Sequence, residues 1–508
     1  MIHLWWALLA SAQGSSEPQD QAFANITGSS GVGTIIAQIE SANPQWWLTG
    51  QHLVDLDNDG ALDLFLDCHA HGSAVVALND GRGVFNLVPN TSGSWPSSEL
   101  HEMFDVNSDG KVDLSATYVD GGAQWWINNS TAGHVNFVPT NITRDTNTAR
   151  DQVLFDFNGD GNVDWFRSAE PGLVVDFGDG TGGFVEGSLS FPVARKNNNS
   201  NDNADFLPGD FNDDGHIDLL ILTGGNYDGT PGRTMLWLNT GNQTFADATN
   251  GSGIPINGTV AKGVGDFDQD GDLDFVATEN LTMPPVIFVN DGTGTFSKDS
   301  RAITGVAPSI LEYASWGTAV TTDFDNDGVV DIIMNGKYYL KLLRGTGHGK
   351  FVYINDAWKI RDLAASAVDD GLCFGDIDGD GALDIIGYDQ IYPSRLLNVY
   401  HNELPPRSWL NVRLRGHPGN AGAAGATIRI YAAEGSSELL WYEQVAQYNS
   451  QVATSYYAFD VTERHYGLGS RSVVDVVVTF PSRITKRLKG VHANKTVEIL
   501  ESEAWLDG

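Results

Sequence analysis

Cysteine is nearly missing from this chain: Cys68 and Cys373 are the only two in 508 residues. That excludes a disulfide-stapled scaffold and any cysteine-based zinc centre. Long apolar runs are missing as well, since beyond the first dozen residues nothing approaches the roughly 20 apolar residues a spanning helix needs. Basic side chains are scarce, 29 Lys and Arg against 65 Asp and Glu, for a net charge of −36. Such a surface repels nucleic acid and anionic membranes and attracts cations. The sequence also lacks a Gly-X-Ser-X-Gly elbow, a His-Glu-X-X-His pair and a glycine-rich loop ending in Lys-Ser/Thr, so no catalytic class announces itself. No Arg-Gly-Asp tripeptide occurs either.

What is present is a core and many turns. Hydrophobic residues make up 41% and aromatics 10%, with 58 glycines, a composition for strands joined by tight turns. The acidity is uneven. From Pro405 onward the chain has 11 basic and 10 acidic residues, while the part before it has 18 and 55. That step, beside Pro405-Pro406, predicts a domain boundary. Leu4 to Ala10 followed by Ala10-Ser11-Ala12 reads as a secretion signal over residues 1–12. Sequons beginning at Asn25, Asn90, Asn128, Asn129, Asn141, Asn198, Asn242, Asn250, Asn257, Asn280 and Asn494 fit a secreted glycoprotein.

One pattern, Asp-X-Asp/Asn-X-Asp-Gly-X-X-Asp, occurs seven times, starting at Asp55, Asp105, Asp156, Asp210, Asp266, Asp323 and Asp376. The steps are 50, 51, 54, 56, 57 and 53 residues, a period that marks a propeller or a solenoid. Each copy stands between strand-length apolar runs, with a third run, a turn such as Asn290 to Phe296 and a fourth run after it. Four short strands are one propeller blade. The last copy lacks its fourth strand, and Phe23 to Gly31 parallels Phe245 to Gly253, the end of the fourth repeat. An N-terminal strand completing the last blade closes a ring and removes an exposed sheet edge. The prediction is an all-β chain: a seven-bladed β-propeller over 21–404, then a small β-sandwich-like domain over 405–501.

Calcium takes six to eight oxygen ligands and accepts carboxylates, carbonyls and water together. Positions one, three, five and nine of each loop supply side-chain oxygens, and position seven supplies a carbonyl. The candidate ligands are Asp55, Asp57, Asp59, Ala61 and Asp63; Asp105, Asn107, Asp109, Lys111 and Asp113; Asp156, Asn158, Asp160, Asn162 and Asp164; Asp210, Asn212, Asp214, His216 and Asp218; Asp266, Asp268, Asp270, Asp272 and Asp274; Asp323, Asp325, Asp327, Val329 and Asp331; and Asp376, Asp378, Asp380, Ala382 and Asp384. The mixed identity at position seven is what a main-chain ligand predicts, and Gly at position six permits the turn. Up to seven Ca²⁺ ions are expected, more weakly held where Asn107, Asn158 and Asn212 replace an acid.

These loops resemble the FG-GAP repeats of integrin α-subunit propellers. Trp409 to Leu414, Gly422 to Ala426, Tyr466 to Gly469 and Val476 to Ser482 are similar to an ASPIC/UnbV domain. Propeller plus such a domain is the arrangement of the cartilage acidic protein family, whose usual Trp-Pro-Ser-Gly stands here as Phe480-Pro481-Ser482-Arg483 and whose EGF-like module has no counterpart. The resemblance implies extracellular calcium-binding glycoproteins, and residue by residue it carries over the seven loops.

Three functions compete: a non-catalytic extracellular binding, matrix or adhesion module; a calcium-dependent lectin; and a polysaccharide-degrading enzyme on a propeller scaffold. The expected partner is an extracellular protein or glycan. Opposite the acidic loops fall the connections with Trp46, Trp47, Trp95, Tyr227, Trp316 and Trp358, which read either as a binding face or as plugs filling gaps between blades. Two further readings stay open: a Cys68–Cys373 disulfide between neighbouring blades against two separate thiols, and Lys486-Arg487-Leu488-Lys489 as a solvated turn against a glycan contact. Cys68-His69-Ala70-His71 reads as a polar loop ahead of a metal site.

Overall fold

The computed structural model describes residues 22–502 except 44–45, 47, 69–73, 91–94, 97–99, 118–122, 145–151, 170–171, 192–204, 224–232, 242, 256, 280–283, 306–315, 337–340, 355–371, 390–395, 434, 446, 450–456 and 459–462. The chain is a seven-bladed β-propeller followed by a β-sandwich domain. Blade one pairs Leu48–Val54, Asp63–Cys68, Val75–Asn79 and Phe85–Val88 in that order. Four-stranded order repeats in the next five blades, whose first strands are Leu100–Phe104, Gln152–Phe155, Asp205–Gly209, Val260–Gly265 and Trp316–Thr322. The seventh has Leu372–Gly375, Asp384–Asp389 and Leu396–Asn402, and its fourth strand is Phe23–Asn25, paired Phe23 to Asn402 and Asn25 to Tyr400.

The parallel between the chain's start and the end of blade four extends to individual bonds. Ser30 Oγ donates to the Thr27 carbonyl as Ser252 Oγ does to that of Thr249. The Ser30 and Ser252 carbonyls accept the N–H of Phe85 and Phe296, in the next blade round the ring. Gly31 and Gly253 both turn through positive φ, 82° and 79°.

A blade is buried on both faces, so its middle strands are continuous apolar runs; Leu219 to Leu222 has no exposed surface. Alternation along a strand sends successive side chains to different neighbours. Phe65 enters the cluster shared with Leu114 of blade two, while Leu64 and Leu66 enter the one shared with Ile386 and Val399 of blade seven. Each of the seven blade junctions has such a cluster. The ring is closed by the same apolar contact that joins every other pair of blades.

A helix, Val32–Ala42, lies between the N-terminal strand and blade one and buries Val32, Ile35 and Ile36 in the junction of blades seven and one. Sequence reasoning missed it, although Val32, Ile35, Ile36 and Ile39 recur at helical spacing.

The C-terminal domain stacks a three-stranded sheet, Glu463–Gly469, Ser408–Arg415 and Lys495–Leu500, on a four-stranded one, Leu439–Gln444, Thr427–Ala432, Val473–Thr479 and Thr485–His492. Its core is continuous with the cluster of blades five and six. Gln447–Asn449 adds antiparallel to Gln152–Leu154, and Tyr457–Ala458 adds parallel to Leu372 and Cys373. Both partners are the innermost strands of their blades, three and seven. Residues 447–449 and 457–458 thus extend two blades that are not neighbours in the ring.

Several expectations are settled or corrected. Of the two readings left open for the cysteines, separate thiols hold: Cys373 is free and buried, so no disulfide joins it to Cys68. Trp46 and Trp95 are 1% and 3% exposed and belong to the core; the Trp95 indole donates to the Ala74 carbonyl. They form no binding face. Trp316 opens a strand, and Trp47, Tyr227, Trp358, His69, Ala70, His71 and residues 1–12 lie outside the described residues. Lys486 to Lys489 belong to strand Thr485–His492, not a turn, on the edge of the four-stranded sheet. Lysines there discourage pairing with another chain. Among the described residues no helix is long and apolar enough to cross a membrane.

Phe23 is 2% exposed in the cluster of blades six and seven. Phe23→Ala should therefore cost about 3–5 kcal/mol of stability, read from denaturant unfolding. Val185→Ala, at a position 68% exposed, should leave the unfolding midpoint unchanged.

Candidate metal centres

All seven loops connect the first and second strands of a blade and are built alike. Position one accepts the backbone N–H of positions five and six on its two carboxylate oxygens, as Asp55 does from Asp59 at 3.0 Å and Gly60 at 2.9 Å. Position five accepts the N–H of position seven, as Asp59 does from Ala61 at 2.9 Å. The Gly at position six has positive φ in every loop, and so does position four: Asn58, Ser108, Gly159, Asp213, Gln269, Asn326 and Gly379. Small or polar residues at position four are a signal the sequence offered and the reading overlooked.

Position nine has a second task. Asp63 Oδ2 accepts the N–H of Leu56 at 3.0 Å and its Oδ1 accepts that of Asn79, on the third strand, at 2.9 Å. Asp113, Asp164, Asp218, Asp274, Asp331 and Asp384 do the same at their positions. Each has no exposed surface. The ninth acid ties three strands together from inside the blade.

The residue latched on the third strand is Asn in five blades. The Asn290 amide donates to the Leu273 carbonyl of its own blade and the Phe211 carbonyl of the previous one; Asn79, Asn128 and Asn402 bridge their junctions likewise. Gly178 and Gly345 replace it in blades three and six, where a Cβ would stand 2.0 and 2.2 Å from the Val163 and Val330 carbonyls. Asn128 also begins a sequon, yet it is fully buried with its amide N–H groups spent on these bonds, so it is no glycan acceptor in the folded chain.

Positions one, three and nine converge in four loops. Asp55, Asp57 and Asp63; Asp266, Asp268 and Asp274; Asp323, Asp325 and Asp331; and Asp376, Asp378 and Asp384 each present oxygens within 4.8 Å of one another and can hold a metal ion. Asp59, Asp270 and Asp327 fall outside these groups, and Asp380 groups instead with Asp378 and His401. Two oxygens are diagnostic: Asp268 Oδ1 and Asp378 Oδ1 are buried with no hydrogen-bond partner. Carboxylate oxygens buried this way call for a cation or a proton. In loops two, three and four the carboxamides of Asn107, Asn158 and Asn212 donate to the second oxygen of Asp109, Asp160 and Asp214, at 3.4, 3.0 and 3.1 Å. Side chains at position seven lie outside the cage: Lys111 Nζ donates to the Ser130 carbonyl, and Asn162, His216 and Asp272 pack against Gly180, Gly241 and Gly292.

Burial and neighbouring carboxylates raise these acids. Asp63, Asp113, Asp218 and Asp274 are pushed up to about 8, and Asp164 and Asp266 up to about 7. Asp105, Asp210 and Asp376 rise to about 6, while Asp156, Asp323, Asp331 and Asp384 also rise.

The C-terminal domain sits on this loop face. Gly419 N donates to Ser108 Oγ, Gln269 Nε2 to the Leu440 carbonyl, and Gly469 N to the Asn326 carbonyl, so position four of loops two, five and six carries the docking. Gly419 also accepts from Val163 in loop three, Gln444 from the Asp210 N–H in loop four, and Trp409 lies against Gly381 in loop seven.

A propeller with such a loop on each blade is an FG-GAP-repeat protein, and an ASPIC and UnbV domain follows here: the FG-GAP-like repeat model matches residues 105–166, 210–277, 266–334 and 323–387, and the ASPIC and UnbV model matches 416–505. Cartilage acidic protein 1 of Homo sapiens is 26% identical over 289 residues, covering 54% of this chain and 41% of the relative; the Mus musculus protein is 26% identical over 292 residues, covering 54% and 42%. The chain thus matches about two fifths of the length of these relatives. Among solved structures, an Agrocybe aegerita lectin that recognises non-reducing terminal N-acetylglucosamine aligns at 18% identity and TM-score 0.45, over 65% of this chain and 85% of that one.

Two outcomes follow. The raised acids hold more protons folded than unfolded, so in chelator stability is greatest at about pH 4, is lost most steeply between about 4 and 6, and stops falling only above about 8. Thermal melts in chelator should fall steadily across that window. Asn290→Ala strips a bond from two backbone carbonyls and should cost about 2 kcal/mol, read by denaturant unfolding.

Proposed function

We propose that this chain is a secreted, calcium-stiffened, non-catalytic propeller that acts as an extracellular binding or matrix module toward a protein or glycan partner. The observation that carries the calcium reading is the pair of orphaned buried oxygens, Asp268 Oδ1 and Asp378 Oδ1, each within a group of three converging acids. Positions one, three, five and nine would hold the ion with the carbonyl of position seven. A bound Ca²⁺ supplies positive charge that lets the buried acids stay ionised at neutral pH. The chain's own residues supply the rest: backbone N–H groups aim the carboxylates, and the ninth acid joins each loop to two further strands. Stiffness is the product, since every loop braces a blade and bears on the next.

The similarity to cartilage acidic protein 1 supports an extracellular matrix setting. The C-terminal domain covers loops two to seven, which leaves the opposite face of the ring for partners.

Chelation at neutral pH should lower the melting midpoint by on the order of 10 °C, and added calcium should restore it, because metal bound only to the folded state stabilises it by mass action. Asp268→Asn should remove one equivalent of bound calcium by elemental analysis. A midpoint indifferent to chelator would sink the reading.

A further inference from the structure

The residue just before the latched third-strand position is apolar in five blades: Leu78, Ile127, Phe177, Leu238 and Val289. In blade six it is Arg344 and in blade seven His401. Arg344 turns into loop six, with Nη2 at 2.7 Å from Asp325 Oδ2 and 3.0 Å from Asp327 Oδ2. A second guanidinium arrives from the interdomain connection. Arg407 Nη1 lies 3.0 Å from Asp325 Oδ1 and also donates to the Asp325 carbonyl at 3.0 Å. Both oxygens of Asp325, the position-three acid, are thereby engaged. The equivalent Asp268 and Asp378 each keep an oxygen without a partner.

Loop six is also one of the loops that the C-terminal domain closes over. A Cβ on Gly467 would stand 2.0 Å from Asp323 Oδ2 and 2.5 Å from Asn326 Cα, so the domain's backbone rests on the acids themselves. His465, half-buried, places Nε2 2.7 Å from Asn326 Oδ1, and the Asn326 amide reaches the Gly381 carbonyl in loop seven at 2.8 Å. Asp323 is 1% exposed and Asp331 fully buried. Charge counting gives the same result by two routes. Four carboxylates and one Ca²⁺ leave a net of −2, and four carboxylates with two guanidiniums leave −2 as well.

We infer that loop six carries its counter-charge internally: Arg344 and Arg407 take the place of calcium there, and the loop serves as a metal-independent clamp between propeller and C-terminal domain. This rests on the calcium reading of loops such as five and seven, which the test separates from it. Hydrogen exchange followed by mass spectrometry, with calcium and with chelator, resolves the loops individually. Chelation should speed exchange at least tenfold in residues 266–274 and 376–384 and leave 323–331 unchanged. In R344M/R407M, loop six should become calcium-sensitive and bound calcium should rise by one equivalent. Calcium-dependent protection of 323–331 in the unsubstituted chain overturns the inference, as does loss of one equivalent in D325N/D327N. If no loop responds to chelator, the calcium reading fails, and faster exchange at 323–331 in R344M/R407M then supports the clamp on its own. Unchanged exchange in that variant overturns it. Should R344M/R407M not fold, R407M alone, which removes the exposed partner, serves with the same outcomes.

Discussion

The structure depends on seven buried carboxylates that must be kept ionised or kept protonated. Asp63 and its six counterparts have no exposed surface, yet each accepts backbone N–H groups from a loop and from a third strand. A hydrophobic residue there would leave those donors unpaired inside the blade. An acid satisfies them, and then needs positive charge nearby or a proton. The other acids of the loop deepen the problem, since they stand within 4.8 Å in four of the blades. The repeat is best understood as an electrostatic problem posed once per blade and answered differently from blade to blade.

The two parts of the chain answer each other in charge. The net charge belongs to the propeller, and the C-terminal part is close to neutral, with three of its arginines turned toward the loops. Arg407 enters loop six, Arg415 lies beside Gly110 in loop two, and Arg483 reaches the Asp214 and Gly215 carbonyls in loop four. The domain is woven in as well as laid on. Its short strands Gln447–Asn449 and Tyr457–Ala458 extend the innermost strands of blades three and seven, and its core merges with that of blades five and six. Pairing of this kind removes sheet edges that an empty propeller channel would expose. The domain is part of the propeller's closure rather than a module on a tether.

Much of this was legible because repetition amplifies weak signals. One Asp-rich turn says little; seven at a steady period, with an orphan strand at the opposite end of the chain, force a ring. Spacing reads as positions one, three and five converging with position nine closing the cage; the groups that form in four loops are one, three and nine, because position five turns its carboxylate to the backbone N–H of position seven. The ninth acid's role as a three-strand latch was not, because its partners are backbone groups and carry no sequence label. The bridging Asn could have been found by aligning Asn79, Asn128, Asn239, Asn290 and Asn402 across repeats. Trp46 and Trp95 follow the plugging reading and not the binding one, because an irregular connection that crosses the rim of a blade buries its aromatics as readily as it displays them. The pairing of residues 447–449 with blade three had no local signature, since strand addition depends on a free edge and not on the identity of what covers it.

Differences among the loops are then variations in how one problem is solved. Loops five and seven leave an oxygen of position three without a partner, which calls for an ion. Loops two to four put a carboxamide at that position, lowering the charge by one and lending a donor to the neighbouring acid. Loop six takes two guanidiniums. The solutions are not equivalent in what they make the ring sensitive to. A free ion comes and goes with its concentration, whereas a carboxamide or an arginine is always there. On the inference drawn for loop six, placing the arginine solution where the C-terminal domain leaves the propeller frees that attachment from dependence on an ion. Blades braced by ions can then soften without the domain coming away.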